Sequence, residues 1–105
     1  MNGRRLHVWI VDDDASIRWV LERALQGGGL LPRCFESAEA ALDALRGEAP
    51  DVLLTDIRMP GQSGLELLRK IRTTRPRLPV IVMTAYSTVK NAVQSMRNGA
   101  YDYIA

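Results

Sequence analysis

The chain has 105 residues, with 14 Lys and Arg against 12 Asp and Glu, a formal net charge of +2. At 47% apolar and 25% charged residues it has the composition of one globular domain with a real core, which excludes an intrinsically disordered chain and two independent cores. So small a positive charge excludes nucleic acid or membrane as the default partner, and one Cys beside one His excludes an internal disulfide and a closed zinc site, which suits a reducing, cytoplasmic setting.

Hydrophobic periodicity switches repeatedly along the chain. Leu6-His7-Val8-Trp9-Ile10-Val11 is a nearly continuous apolar run, as expected of a strand buried on both faces, and it is too short for a membrane span or a signal peptide. His7, inside this strand, reads as structural. Ile17, Val20, Leu21, Ala24 and Leu25 then follow helical spacing. Gly27-Gly28-Gly29 follows that helix rather than opening one, so it reads as a stop and turn and not as a phosphate loop. Leu31 to Phe35 is a second strand, and Pro32, which lacks a backbone donor, puts it at a sheet edge.

Helical spacing returns at Ala38, Ala41, Leu42 and Leu45, and a third strand follows at Val52-Leu53-Leu54-Thr55. Leu65, Leu68 and Ile71 mark a third helix. Its end carries Arg69, Lys70, Arg72, Arg75 and Arg77, a solvated face complementing the negative end of the helix dipole. A fourth strand runs from Val80 to Thr84, a fourth helix carries Val89, Val93, Met96 and Ala100, and Tyr101 to Ala105 begins a fifth strand. This βαβαβαβαβ pattern predicts an α/β domain, a flavodoxin-like, doubly wound five-stranded parallel sheet of order 2-1-3-4-5, with the final helix missing from the chain.

Ligands in such sheets bind beyond the C-terminal ends of the strands, where the strand order reverses, here between the first and third strands. Asp12, Asp13 and Asp14 directly follow the first strand and Asp56 follows the third. Asp14 reads as the N-cap of the helix that begins near Ala15. One cap does not account for the other acids, and Ile57-Arg58-Met59-Pro60-Gly61 after Asp56 reads as a loop. Carboxylates converging at about 4 Å repel by roughly 4 kcal/mol per pair at an effective dielectric of about 20. A raised pKa, a nearby Lys or a divalent cation would offset this repulsion. Hard oxygen donors without His or Cys favour Mg2+, which completes its shell with water and phosphate oxygens. Asp56, single and central at a strand end, is the best placed nucleophile for a phosphoryl group. Thr84, at the end of the fourth strand, could donate to a phosphoryl oxygen, and the small Ala85 beside it leaves room. Tyr103 reads from its position as a half-buried aromatic of the fifth strand.

Taken in order, Val11-Asp12-Asp13-Asp14, Asp56-Ile57-Arg58-Met59-Pro60-Gly61, Thr84-Ala85 and Gly99-Ala100-Tyr101-Asp102-Tyr103 resemble the receiver domain of two-component response regulators, a CheY-like fold. The resemblance runs from Leu6 to Ala105. Ser16 to Leu25 and Pro50 to Leu54 are most similar to the nitrogen-regulator branch of that family, the NtrC-type activators of alternative-sigma-factor promoters.

The resemblance implies that Asp56 accepts a phosphoryl group from a phosphohistidine on a sensor histidine kinase. It implies Mg2+ held by Asp13 directly, by Asp12 mainly through water, by Asp56 and by the backbone carbonyl of Arg58. Thr84 would move toward the phosphoryl group and Tyr103 would reorient with it, so that the fourth helix and fifth strand present a changed surface. The function implied is a phosphorylation-dependent switch regulating transcription in nitrogen metabolism, not an enzyme in its own right, with assistance to its own dephosphorylation left open. The ATPase and DNA-binding output domains would lie outside this chain, and a homodimer is open. The family places a Lys, usually followed by Pro, just after the fifth strand, where this chain ends at Ala105. The expectation is therefore a receiver domain over 1–105 truncated after its fifth strand, able to bind Mg2+ but less stable and a poor signaller.

Two rivals carry different chemistry. A haloacid-dehalogenase-type phosphatase also uses an Asp nucleophile with Mg2+, but Asp12-Asp13-Asp14-Ala15-Ser16 lacks the Thr or Val of its motif and 105 residues leave no room for a cap domain. A phosphorylation-independent interaction module would have no need of Asp12, Asp13, Asp56 and Thr84 together.

Overall fold

Short runs of β-branched and aliphatic residues form strands, and the helical stripes between them form the crossovers that keep those strands parallel. The computed structural model describes residues 5–56 and 64–83, together with the backbone of 102–104. Its elements are β1 (His7–Val11), α1 (Ala15–Gly27), β2 (Leu31–Phe35), α2 (Ala38–Ala44), β3 (Val52–Asp56), α3 (Gly64–Thr74), β4 (Val80–Met83) and β5 (Asp102–Ile104). All pairs are parallel and the sheet order is β2-β1-β3-β4-β5, so this is the expected flavodoxin-like, CheY-like topology. The fourth helix expected around Val89 to Ala100 lies outside the described residues.

β2 is the edge strand that Pro32 required, pairing only with β1 among the described strands. Alternation divides the buried residues between the two faces of the sheet. Trp9, Val11, Leu53, Val80 and Val82 join Phe35 and the helices α2 and α3 in the larger core cluster. Val8, Ile10 and Leu54 face the other way, where Leu21 and Leu25 of α1 cover them. No residue of α1 is fully buried, and Ile17 and Val20 of its expected apolar stripe stay 43% and 55% exposed.

The third helix differs in detail from its expected stripe. Gly64, Leu67, Leu68 and Ile71 are its buried residues, whereas Leu65 packs only at the margin of the core. Both sets obey helical spacing, and the angle at which α3 meets the sheet selects between them. The basic run at its end also differs from a purely solvated face. Arg72 donates to the carbonyls of Pro76 and Leu78, and Arg75 donates to the carbonyl of Leu45 at 2.8 Å. These two guanidiniums therefore tie the α3–β4 connection to itself and to α2.

The glycine run ends α1 as expected. The Gly28 N–H donates to the carbonyls of Ala24 and Leu25, and Gly29 turns the chain at φ +82°, a left-handed value that favours glycine. Cys34 points under α1, its thiol 3.5 Å from the Glu22 carboxylate. Burial pushes this thiol up to about 11, and the Glu22 carboxylate adds to the shift. That leaves roughly a hundredfold less thiolate near neutral pH than an ordinary cysteine has. We expect Cys34 to react with an aromatic disulfide reagent at pH 7.5 at least about tenfold more slowly in the native protein than in urea, as followed by absorbance.

Candidate functional site

The parallel order brings the C-terminal ends of β1 and β3 side by side, with Val11 in register with Thr55. The next residue on each strand is an acid, Asp12 after β1 and Asp56 at the end of β3. One carboxylate oxygen from each of Asp12, Asp13 and Asp56 lies within 4.8 Å of the others. Asp12 is buried, Asp13 exposed and Asp56 half-buried, so the cluster opens to solvent on one side.

Each acid in the β1–α1 turn has its own local geometry. Asp12 Oδ1 accepts the Asp14 N–H at 2.9 Å, and the Asp12 backbone N–H donates to the carbonyl of Phe35 at 3.1 Å. Asp14 caps α1, its Oδ1 accepting the N–H groups of Ser16 at 2.8 Å and Ile17 at 3.3 Å, as the sequence suggested. Its carboxylate is engaged by the helix. Replacing Asp14 with Ala should therefore cost about 1 kcal/mol of stability in urea denaturation, while Mg2+ binding stays close to wild type.

Burial pushes the Asp12 carboxyl above its ordinary value of 3.8. The N–H of Asp14 opposes this by stabilising the ionised form, while the negative charges of Asp56, Asp13 and Asp14 raise the value further. At 4.8 Å two unit charges repel by roughly 1 kcal/mol in water and roughly 3 kcal/mol at an effective dielectric of about 20. The folded chain thus holds three acids together against their mutual repulsion.

A small divalent cation suits that arrangement. The donors are all hard carboxylate oxygens, and one side of the cluster is open to water. Oxygens on opposite sides of Mg2+ stand about 4.2 Å apart, so a 4.8 Å spread accommodates it with a small contraction or one bridging water. No His or Cys belongs to the cluster, which disfavours zinc.

The three clustered acids are legible in the sequence, but two residues that hold them are not. Arg18, one turn into α1, donates from Nη1 to the backbone carbonyl of Asp12 at 2.7 Å. Thr55, fully buried, donates its hydroxyl to the backbone carbonyl of Asp56 at 3.0 Å. The proximity of Arg18 to the acidic turn was a usable signal. Thr55 gave none, because a threonine in a β-branched strand reads as packing. Arg58 and Thr84 lie outside the described residues. The backbone of Tyr103 is in register with Val82, and its side chain is outside the description. His7 sits at the opposite end of β1, its backbone N–H bonded to the Asp51 carboxylate at 2.7 Å.

Residues 8–105 match the family model for the response regulator receiver domain. The chain is 59% identical over 96 residues to the DNA-binding transcriptional regulator NtrC of Klebsiella pneumoniae, covering 91% of this chain and 20% of that regulator. It is 57% identical over 97 residues to the NtrC regulator of Escherichia coli K12, covering 92% of this chain and 21% of that one. The chain thus spans about a fifth of the length of the curated relatives it matches. Among solved structures, the solution structure of the BeF3-activated receiver domain of nitrogen regulatory protein C is similar at 56% identity and a TM-score of 0.80, covering 95% of this chain and 81% of that one. The crystal structure of FixJ-N gives 39% identity and a TM-score of 0.87 over 96% of this chain and 81% of that one.

Proposed function

Because this chain belongs to the response regulator receiver domain family, we propose that it acts as a phosphorylation-dependent switch in which Asp56 accepts a phosphoryl group. The observation that supports this most is the convergence of Asp12, Asp13 and Asp56 at the C-terminal sheet edge, with Asp56 on the end of a central strand. A carboxylate there is fixed by the sheet, open on one side and surrounded by like charge.

Asp56 attacks phosphorus through a carboxylate oxygen as the bond to a phosphohistidine nitrogen of a sensor kinase breaks. The electron pair of that bond returns to the imidazole, and an aspartyl phosphate results. Asp13 and Asp56 would hold Mg2+ directly, Asp12 mainly through water, and the backbone carbonyl of Arg58 would complete the protein's share. Bound there, Mg2+ would neutralise charge on the phosphoryl oxygens during transfer. Asp12 is buried on the β1 side, and the Arg18 guanidinium on its carbonyl ties the turn to α1.

Thr84 would hydrogen-bond the phosphoryl group and Tyr103 would reorient with it, a shift of population toward the conformation that supports both contacts. The readout would pass to ATPase and DNA-binding domains like those of NtrC, in transcriptional control of nitrogen metabolism in the cytoplasm. A homodimer is one form of that readout. No described helix is long and apolar enough to cross a membrane. Water attack on the aspartyl phosphate, assisted by the same acids, would reset the switch.

Incubation with Mg2+ and acetyl phosphate, followed by separate quantitation of the acetate released by transfer and the inorganic phosphate released by hydrolysis, tests this reading. A receiver consumes about one acetyl phosphate per chain in an initial burst and then turns over slowly. Sustained rapid release would favour the phosphatase alternative, and no consumption would refute the proposal.

A further inference from the structure

Thr55 is fully buried on the β3 face that packs into the larger core, one residue ahead of Asp56. Its neighbours in register are Val11 on β1 and Val82 on β4, both fully buried. Valine at this position would have nearly the same shape, would match both neighbours and would bury no hydroxyl, so packing alone favours valine. The hydroxyl instead donates to the carbonyl oxygen of Asp56. That carbonyl belongs to the planar peptide joining Asp56 to Ile57, so holding it restrains the backbone torsion of Asp56 where the chain leaves the sheet. The Asp56 side chain springs from the Cα that this torsion orients.

We propose that Thr55 is a positioning residue whose hydroxyl, acting through the Asp56 carbonyl, aims the Asp56 carboxylate at Asp12 and Asp13 and so tunes Mg2+ affinity and phosphoryl uptake. This rests on the reading of Asp56 as the acceptor. Preorganisation of this kind acts at low cost, because the restraint is in place before cation or phosphoryl donor arrives.

The test compares wild type with Thr55→Val, which removes the hydroxyl, and Thr55→Ser, which keeps it and removes a buried methyl. Melting in EDTA reads the fold, calorimetric titration with MgCl2 reads the site, and intact mass after acetyl phosphate reads uptake. Thr55→Val should melt at or above the wild-type temperature yet bind Mg2+ roughly fivefold more weakly, the equivalent of one neutral hydrogen bond, with uptake slowed to match. Thr55→Ser should melt lower, because of the cavity it leaves, yet bind Mg2+ as wild type does. A purely structural threonine would make both readouts follow melting temperature, and that result, or wild-type affinity and uptake in Thr55→Val, would overturn the inference. Absence of both Mg2+ binding and uptake in wild type would instead refute the acceptor reading, and Thr55 with it.

Discussion

Asp56→Asn is expected to lower phosphoryl uptake from acetyl phosphate by at least about a hundredfold while raising stability in EDTA. An amide matches the carboxylate in shape but offers no anionic nucleophile, so the attack on phosphorus loses its electron pair donor. The substitution also removes one of three charges gathered within 4.8 Å. Screening by solvent around the exposed Asp13 keeps the relief at about 1 kcal/mol, toward the low end of the Coulomb range. Intact mass spectrometry and thermal melting read the two effects on the same samples. Persistence of the adduct at wild-type level would move the acceptor elsewhere.

Asp12→Asn separates the cost of the acidic cluster from its use. Asp12 has a folded pKa above 3.8, so the fold favours its protonated form. Below its unfolded pKa the carboxyl is protonated in both states and carries no penalty. As pH rises through the raised folded value the ionised form is penalised, and the cation-free protein loses stability. Asn keeps an oxygen to accept the Asp14 N–H and has no such titration. In EDTA at pH 7 the variant should therefore melt above wild type, and the difference should close toward pH 4.

Mg2+ reverses the order. At ten times its Kd a ligand that binds only the folded state adds about 1.4 kcal/mol, so wild type should gain several degrees from MgCl2 and Asp12→Asn much less. A variant that is less stable than wild type in EDTA at pH 7 would contradict the claim that these acids strain the cation-free fold.

Much of this was legible in the sequence because it depends on local pattern and parallel topology. Pro32 placed β2 at the edge, and unbroken apolar strands required a parallel sheet. Parallel strands share one C-terminal edge, so acids after β1 and β3 were bound to meet there. The Asp14 cap and the turn at Gly29 followed from backbone chemistry alone. What escaped depends on contacts distant in sequence or on angles that periodicity leaves free. Leu65 and Leu67 both fit a helical stripe, and only the docking of α3 decides between them. Arg72 and Arg75 read as surface charge until the carbonyls of Pro76, Leu78 and Leu45 are placed beside them. Thr55 read as a β-branched filler, since its hydroxyl acts on the backbone of its neighbour.

Borohydride reduces an aspartyl phosphate to the alcohol, marking the phosphorylated residue as homoserine, so reduction after acetyl phosphate treatment followed by peptide mass spectrometry identifies the carboxylate that accepts the phosphoryl group. Homoserine is expected at position 56 in the presence of Mg2+ and not in EDTA. Labelling at Asp12 or Asp13, or labelling of Asp56 to the same extent without the cation, would contradict that expectation.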